Sequence, residues 1–130
     1  MNKKGAKIEM MNLGGRIKTL RKKENMTQKE LGVLLGFKES TAAIRIAQYE
    51  KDNIIPRDNL LKLICKIFDI KEAVLTSSTS DPIINLCLDM YWLSMEGIAP
   101  LLVFNFYRTV NELFPSKYKE FNNLVGRNMI

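Results

Sequence analysis

The stretch from Leu13 to Ile70, LGGRIKTLRKKENMTQKELGVLLGFKESTAAIRIAQYEKDNIIPRDNLLKLICKIFDI, decides the fold. Its apolar residues recur at helical spacing in blocks separated by short polar, glycine or proline breaks. A first helix is expected from about Asn12 to Glu24, with Leu13, Ile17 and Leu20 on one side and Arg16, Lys18, Arg21, Lys22 and Lys23 elsewhere. Asn25 suits the left-handed position that ends it. Thr27 and Glu30 make a Thr-x-x-Glu capping box for a second helix reaching Leu35, whose buried stripe is expected to be Leu31, Leu34 and Leu35. Gly32 stands where this helix must approach a neighbour closely, and Gly36 supplies the turn that follows. A third helix is expected to start near Ser40 or Thr41, either of which can cap it, and to end about Glu50 or Lys51. The run DNIIPRD then reads as a loop. Arg57 to Phe68 follows as a fourth helix with Leu60, Leu61, Ile64, Ile67 and Phe68 in phase, and Lys71 to Leu75 as a short fifth.

Outward from this stretch the character changes. The chain of 130 residues carries a net charge of +6, but residues 1–75 hold sixteen Lys/Arg against nine Asp/Glu, while residues 76–130 hold four against five. The basic excess therefore belongs to the first part, which points to a polyanion as its partner and to a protein as the partner of the near-neutral remainder. Residues 1–11 read as a flexible basic arm. The run Thr76-Ser77-Ser78-Thr79-Ser80 is the best polar break in the chain, so a linker is placed at 76–81. Asp81 and Pro82 then supply an N-cap and a first-turn proline for a helix to about Met95, apolar nearly all round and unable to keep any face solvated. Further helices are expected from about Pro100 to Leu113 and from Ser116 to Leu124. Eight of the eleven aromatic residues lie in this part, enough for a small core or an interface, and residues 82–130 read as a helical dimerisation or partner-binding segment.

Several classes are disfavoured. The chain has no histidine, and Cys65 and Cys87 stand alone within apolar runs, so no metal site and no cofactor are expected. With no glycine-rich phosphate loop and no nucleophile beside a partner, the chain does not read as an enzyme. Residues 90–107 come nearest to a membrane span, but Glu96, Gly97 and Pro100 interrupt them and two packed helices explain them better. The lysine-rich Met1 to Met11 lacks the apolar core of a secretory signal, and a reduced, cytoplasmic protein is expected.

At Thr27-Gln28-Lys29-Glu30-Leu31-Gly32 and Tyr49-Glu50 the chain resembles the Cro and phage-repressor-like, or XRE, family of helix-turn-helix proteins, over about residues 12–75. The resemblance implies an all-α chain: a lambda-repressor-like five-helix DNA-binding domain followed by a C-terminal helical segment. It implies that the third helix lies in the major groove of double-stranded DNA and that Arg21 pairs with Glu50 as a structural ion pair. It also implies that Gln28 contacts phosphate or braces the recognition helix, beside the Thr27 cap whose helix N-terminus favours an anion. Thr41, Arg45 and Gln48 share a face of the third helix; Arg45 suits guanine and Gln48 adenine, each good bidentate contact discriminating by about 1–3 kcal/mol. Ile46, Ala47 and Ala43 are expected to pack inward against Leu31 and Leu35. Lys51, Asn53 and Arg57 are candidates for phosphate contacts. One departure stands out: about nine positions usually separate the turn glycine from the terminal aromatic, whereas Gly36 and Tyr49 are thirteen apart, an excess of about one helical turn. Either the third helix is longer at its start or the turn is wider, and Lys38, Ser40 and Thr41 move toward the groove end.

The leading expectation is a sequence-specific transcriptional regulator, a repressor that binds operator DNA as a homodimer through the C-terminal helices. The alternative is an antitoxin or anti-repressor-like module whose tail grips another protein while the DNA-binding domain autoregulates. A small-molecule sensor with a pocket around Tyr91, Trp92, Phe104 and Tyr107 is a third reading, set against ordinary core packing of those rings.

Overall fold

The computed structural model describes residues 12–130, so the basic arm read at 1–11 lies outside the described residues. The described residues form eight helices and no strand: α1 (Leu13–Lys23), α2 (Gln28–Leu34), α3 (Glu39–Glu50), α4 (Asp58–Ile67), α5 (Glu72–Thr76), α6 (Pro82–Met95), α7 (Pro100–Leu113) and α8 (Pro115–Val125). Each starts where the sequence offers a polar cap or a proline, and all but α7, which stops at Phe114 before Pro115, end at or just before a left-handed residue. Asn25 (φ 56°) follows α1, Ser77 (φ 51°) ends α5 and Gly126 (φ 81°) ends α8. The Asp81 carboxylate caps α6, accepting from the Ile83 and Ile84 amides at 2.8 and 3.4 Å.

The helices α2 and α3 pack closely against each other, and α1 lies across α3. A Cβ at Gly14 would fall on the Tyr49 carbonyl oxygen, so only glycine lets the start of α1 rest on the end of α3. The buried stripe of α2 consists of Leu31, Gly32 and Leu35. Leu34, expected inside, is exposed because the close approach at Gly32 turns the inward face toward positions 31, 32 and 35. The pair α6 and α7 folds back on itself, α8 covers both, and α5 joins this group to α1 and α4. Here Tyr107 is fully buried, stacked on Phe121 at 5.1 Å between ring centres, and its hydroxyl donates to the Cys87 carbonyl at 3.2 Å. Burial pushes the phenol of Tyr107 far above its usual range, and it pushes the Cys87 thiol up to about 11.

One contiguous core runs from Ile17 and Leu31 through Val74 and Leu75 to Trp92 and Phe121. Residues 76–81 join α5 to α6 at the surface of this core, exposed or half-buried: Thr76 is the last residue of α5, and Asn85 of α6 accepts from the Thr79 amide and hydroxyl at 2.8 and 2.7 Å. Arg16 of α1 reaches across the same junction. Its guanidinium donates to the Leu75 carbonyl (2.9 Å), the Ser77 hydroxyl (2.7 Å) and the Asp89 carboxylate (3.0 Å), and lies 5.4 Å above the Trp92 ring. Burial lowers the Arg16 pKa, opposed by its hydrogen bond to Asp89 and by that residue's charge. The Trp92 indole N–H donates to the Val74 carbonyl at 3.0 Å. The reading of residues 90–107 as two helices holds, since α6 ends at Met95 and α7 begins at Pro100. Among the described residues no helix is long and apolar enough to cross a membrane.

Candidate nucleic-acid interface

The interface is built on α2, a short turn and α3. Thr27 and Glu30 close the capping box at the start of α2: the Glu30 amide donates to the Thr27 hydroxyl oxygen at 3.0 Å, and the Thr27 amide to the Glu30 carboxylate at 2.7 Å. The Leu35 to Lys38 turn contains Gly36 at φ 97°, and the Phe37 amide returns to the Gly32 carbonyl at 3.0 Å. A Cβ on Gly32 would meet Ala42 at 2.6 Å, so glycine there sets the spacing between the two helices. Helix α3 runs for twelve residues from Glu39, and the turn stays short; the additional chain between Gly36 and Tyr49 is taken up in the helix.

Two details of α3 differ from the sequence reading. Its N-cap is Lys38 and carries no side-chain cap bond; Ser40 and Thr41 lie inside the first turn, where the Thr41 hydroxyl donates back to the Lys38 carbonyl at 3.4 Å. Its buried residues are Ala42, Ile46, Tyr49 and Glu50, while Ala43 and Ala47 are only half-buried. The phase follows from Gly32, which draws the α3 backbone in at Ala42 rather than at the neighbouring alanine.

That phase fixes what α3 offers to solvent. Ser40, Thr41, Ile44 and Arg45 are exposed and Gln48 is half-buried on the side away from α2. Ile44 is 61% exposed and was not among the sequence candidates. Once the Gly32–Ala42 contact sets Ala42, Ile46 and Tyr49 inward, an isoleucine two positions before Ile46 must point elsewhere. The Arg45 guanidinium lies over the Phe37 ring, 5.5 Å from its centre. Lys38 is exposed at one end of α3, and Lys51, Asn53 and Arg57 are exposed in the loop at the other. That loop is anchored. The Asp52 carboxylate accepts from the Gly14 amide at 2.9 Å, Asn53 N–H returns to the Gln48 carbonyl at 3.0 Å, and Pro56 is buried.

Behind the face lies an ion pair. Arg21 Nε donates to Glu50 Oε2 at 2.6 Å and Nη2 to Oε1 at 3.1 Å, with both side chains nearly fully buried. Arg21 also donates to the Met26 carbonyl at 2.8 Å, and the Gln28 amide donates to Glu50 Oε1 at 3.0 Å. The planar fork of arginine thus ties α1 to the end of α3, and Gln28 ties the start of α2 to the same carboxylate. The Thr27 hydroxyl and the Gln28 amide each hold a partner within the domain, and Gln28 braces the end of the recognition helix. Of the rings grouped as a possible effector pocket, Trp92 and Tyr107 are buried in the core, Phe104 is at the surface, and Tyr91 borders a groove of about 720 Å³ lined also by Lys62, Lys66 and Lys71. Among the described residues no cluster of His, Cys, Asp or Glu could hold a metal ion.

A capped helix, a glycine turn and a longer helix with Thr41, Ile44 and Arg45 exposed on its outer face define a helical DNA-binding domain of the helix-turn-helix class. Residues 17–75 match the helix-turn-helix family model HTH_3, and this segment is a Cro/C1-type helix-turn-helix domain of lambda-repressor-like fold. The match leaves α6 to α8 outside it. No curated protein and no solved structure matches the chain. The family binds double-stranded DNA, and the protein is a DNA-binding transcription regulator.

Proposed function

We propose that the protein is a sequence-specific repressor that binds operator DNA as a homodimer. The observation that carries this reading is the outer face of α3, where Thr41, Ile44, Arg45 and Gln48 stand together on a helix braced from behind by the Arg21–Glu50 pair. In the major groove, Arg45 reads guanine through its edge, Gln48 reads adenine, and the Ile44 side chain packs on a thymine methyl group. Lys38, Ser40, Lys51, Asn53 and Arg57 hold the phosphates on either side and fix orientation without reading sequence. The role is binding, with no reaction, metal or cofactor, and the site of action is the cytoplasmic chromosome. Random-site selection of bound DNA followed by Arg45→Ala at fixed salt tests it. Loss of preference at one base position in each half-site is expected; a uniform fall in affinity with a shallower salt slope would reassign Arg45 to the backbone.

Dimerisation enters because one helix reads only a few base pairs, and two half-sites about 34 Å apart multiply specificity. The C-terminal helices supply its surface: Ile98 in the turn before α7, and Leu101, Leu102 and Phe104 in its first turns, are all more than 40% exposed, and no charged residue lies between Ile98 and Tyr107. Leu101→Glu with Leu102→Glu is expected to leave a folded monomer by sedimentation, with weaker operator binding. The same apolar face also suits the antitoxin or anti-repressor-like reading, in which another protein covers it. Wild-type protein that sediments as a monomer favours that alternative.

A further inference from the structure

We propose that Phe37 is a positioning residue for base reading: its ring holds the Arg45 guanidinium in one orientation, so that the turn before α3, as well as α3 itself, sets the sequence preference. The inference rests on the proposed role of Arg45. Phe37 is fixed from three sides. Its backbone N–H is bonded to the Gly32 carbonyl at 3.0 Å, its half-buried ring packs against the core, and it tilts against the Tyr49 ring at 6.3 Å between centres. Arg45 is exposed and lies with its guanidinium carbon 5.5 Å from the centre of the Phe37 ring, within the range of a cation–π contact. The two uses of the guanidinium do not compete. The contact with the ring is made from one side of the guanidinium, and the bidentate contact to guanine O6 and N7 uses the N–H groups at its far edge. An arginine free on its long stem loses rotamer freedom when it docks; one already lying on a rigid ring has lost part of it beforehand. The cost of ordering is then the same on every sequence, but the geometry is right only for a base whose acceptors lie along that edge. Phe37 touches no DNA in this scheme. Its effect appears only through Arg45.

The test compares four full-length proteins, wild type, Phe37→Leu, Phe37→Tyr and Arg45→Ala, with Phe37→Leu/Arg45→Ala completing a double-mutant cycle. Each is checked for folding by circular dichroism and scored by selection on randomised DNA at one salt concentration. Leucine keeps the apolar bulk and loses the π face; tyrosine keeps both. Phe37→Leu is expected to weaken the preference for guanine at the Arg45 position by about two- to fivefold, leaving other positions and the salt slope unchanged. Phe37→Tyr is expected to restore it, and the double variant to lose no more than Arg45→Ala alone. If Arg45→Ala erases one position but Phe37→Leu, folded, retains the full preference there, the positioning role is overturned and base reading by Arg45 stands. An equal loss at all positions in Phe37→Leu, not repaired by tyrosine, also overturns it, since that is the signature of packing alone. If Arg45→Ala lowers affinity uniformly, base reading falls and the positioning role with it.

Discussion

The two parts of the molecule differ in where they place charge and aromatic residues. In the part made by α1 to α5, charged residues crowd the surface and one ion pair, Arg21–Glu50, is sealed behind the reading helix. In α6 to α8 the interior is aromatic and aliphatic, built around Trp92, Tyr107 and Phe121, while leucines and phenylalanines stand outside on α7. Both parts expose some large apolar side chains, Ile44 and Ile55 in the first and Leu101 and Leu102 in the second, but in the first they stand among lysines and arginines, and on the first turns of α7 no charge lies among them. Helix α1 belongs to both arrangements. Arg21 points from it toward α3, and Arg16, five positions earlier, points from it toward α5 and α6. Helical geometry separates the two by about 140°, which is why residues so near in sequence serve different neighbours.

The sharpest way to break the first arrangement is Glu50→Ala. It leaves the Arg21 guanidinium and the Gln28 amide facing a site without an acceptor, and a buried charge stripped of its partner costs about 3–5 kcal/mol. Urea denaturation is expected to show that loss, with DNA binding falling further than stability requires because α3 is no longer held at its end. Loss below about 1 kcal/mol would mean that water replaces the carboxylate and that the pair is more open than its burial implies.

The second test concerns whether the parts separate. Arg16→Leu removes three hydrogen bonds across the junction and is expected to cost about 1–3 kcal/mol. Trp92, the single tryptophan, sits at that junction, whereas most helical signal comes from the whole chain. Wild-type unfolding followed by tryptophan fluorescence and by far-ultraviolet circular dichroism is expected to coincide in one transition. Two transitions would make residues 76–81 a true linker and the contrast one between independent domains.

How much of this could be read from the chain alone varies with the range of the interaction. Thr27, Glu30, Gly36, Asp81 and Pro82 act on backbone within a few positions, and the ends of α2 and the start of α6 followed from them to within a residue or so. The burial phase of α2 and α3 did not follow. Leucine at 31, 34 and 35 fits more than one inward direction, and only the contact of Gly32 with Ala42 selects the one that exposes Leu34 and turns Ile44 outward. The Arg16 to Asp89 bond spans 73 positions, and no local pattern marks it. The seat of Arg45 on Phe37 was hidden for a related reason, since a turn phenylalanine reads as core until the ring beside it is seen.

A smaller effect is read at alkaline pH, where burial raises the thiols of both Cys65 and Cys87. Cys87, with its pKa raised by burial to about 11, lies in the C-terminal core, as does Tyr107, whose phenol is raised further. An acid whose folded pKa is raised contributes stability that is complete below its unfolded value and is lost as pH climbs toward the folded one. The window for Cys87 is therefore about pH 9 to 11, with a loss of about 1 kcal/mol by pH 10. Cys87→Ala is expected to flatten that part of the stability curve. Alkaline loss of equal size in the variant would assign the effect to other groups.

The smallest effect lies at the opposite end of the pH scale and concerns the tie between α6 and α8. The Asp81 carboxylate is held below its usual range, first by its hydrogen bond to the Lys117 ammonium and then by the Ile83 and Ile84 amides it caps, with desolvation opposing them. A depressed acid contributes stability that is present above its unfolded value, near 3.8, and is lost as pH falls through the folded value. Asp81→Asn keeps a side-chain oxygen to cap α6 but cannot hold Lys117 by charge. Near neutrality the variant is expected to melt slightly below the wild type, and the difference is expected to shrink as pH falls below 4, since the wild type then loses what the variant never had. Because both side chains are partly open to water, added salt should narrow the neutral gap as well. Curves that differ by a constant amount from pH 7 to pH 2 would mean that the variant has damaged the cap and that the charge of Asp81 does not link α6 to α8.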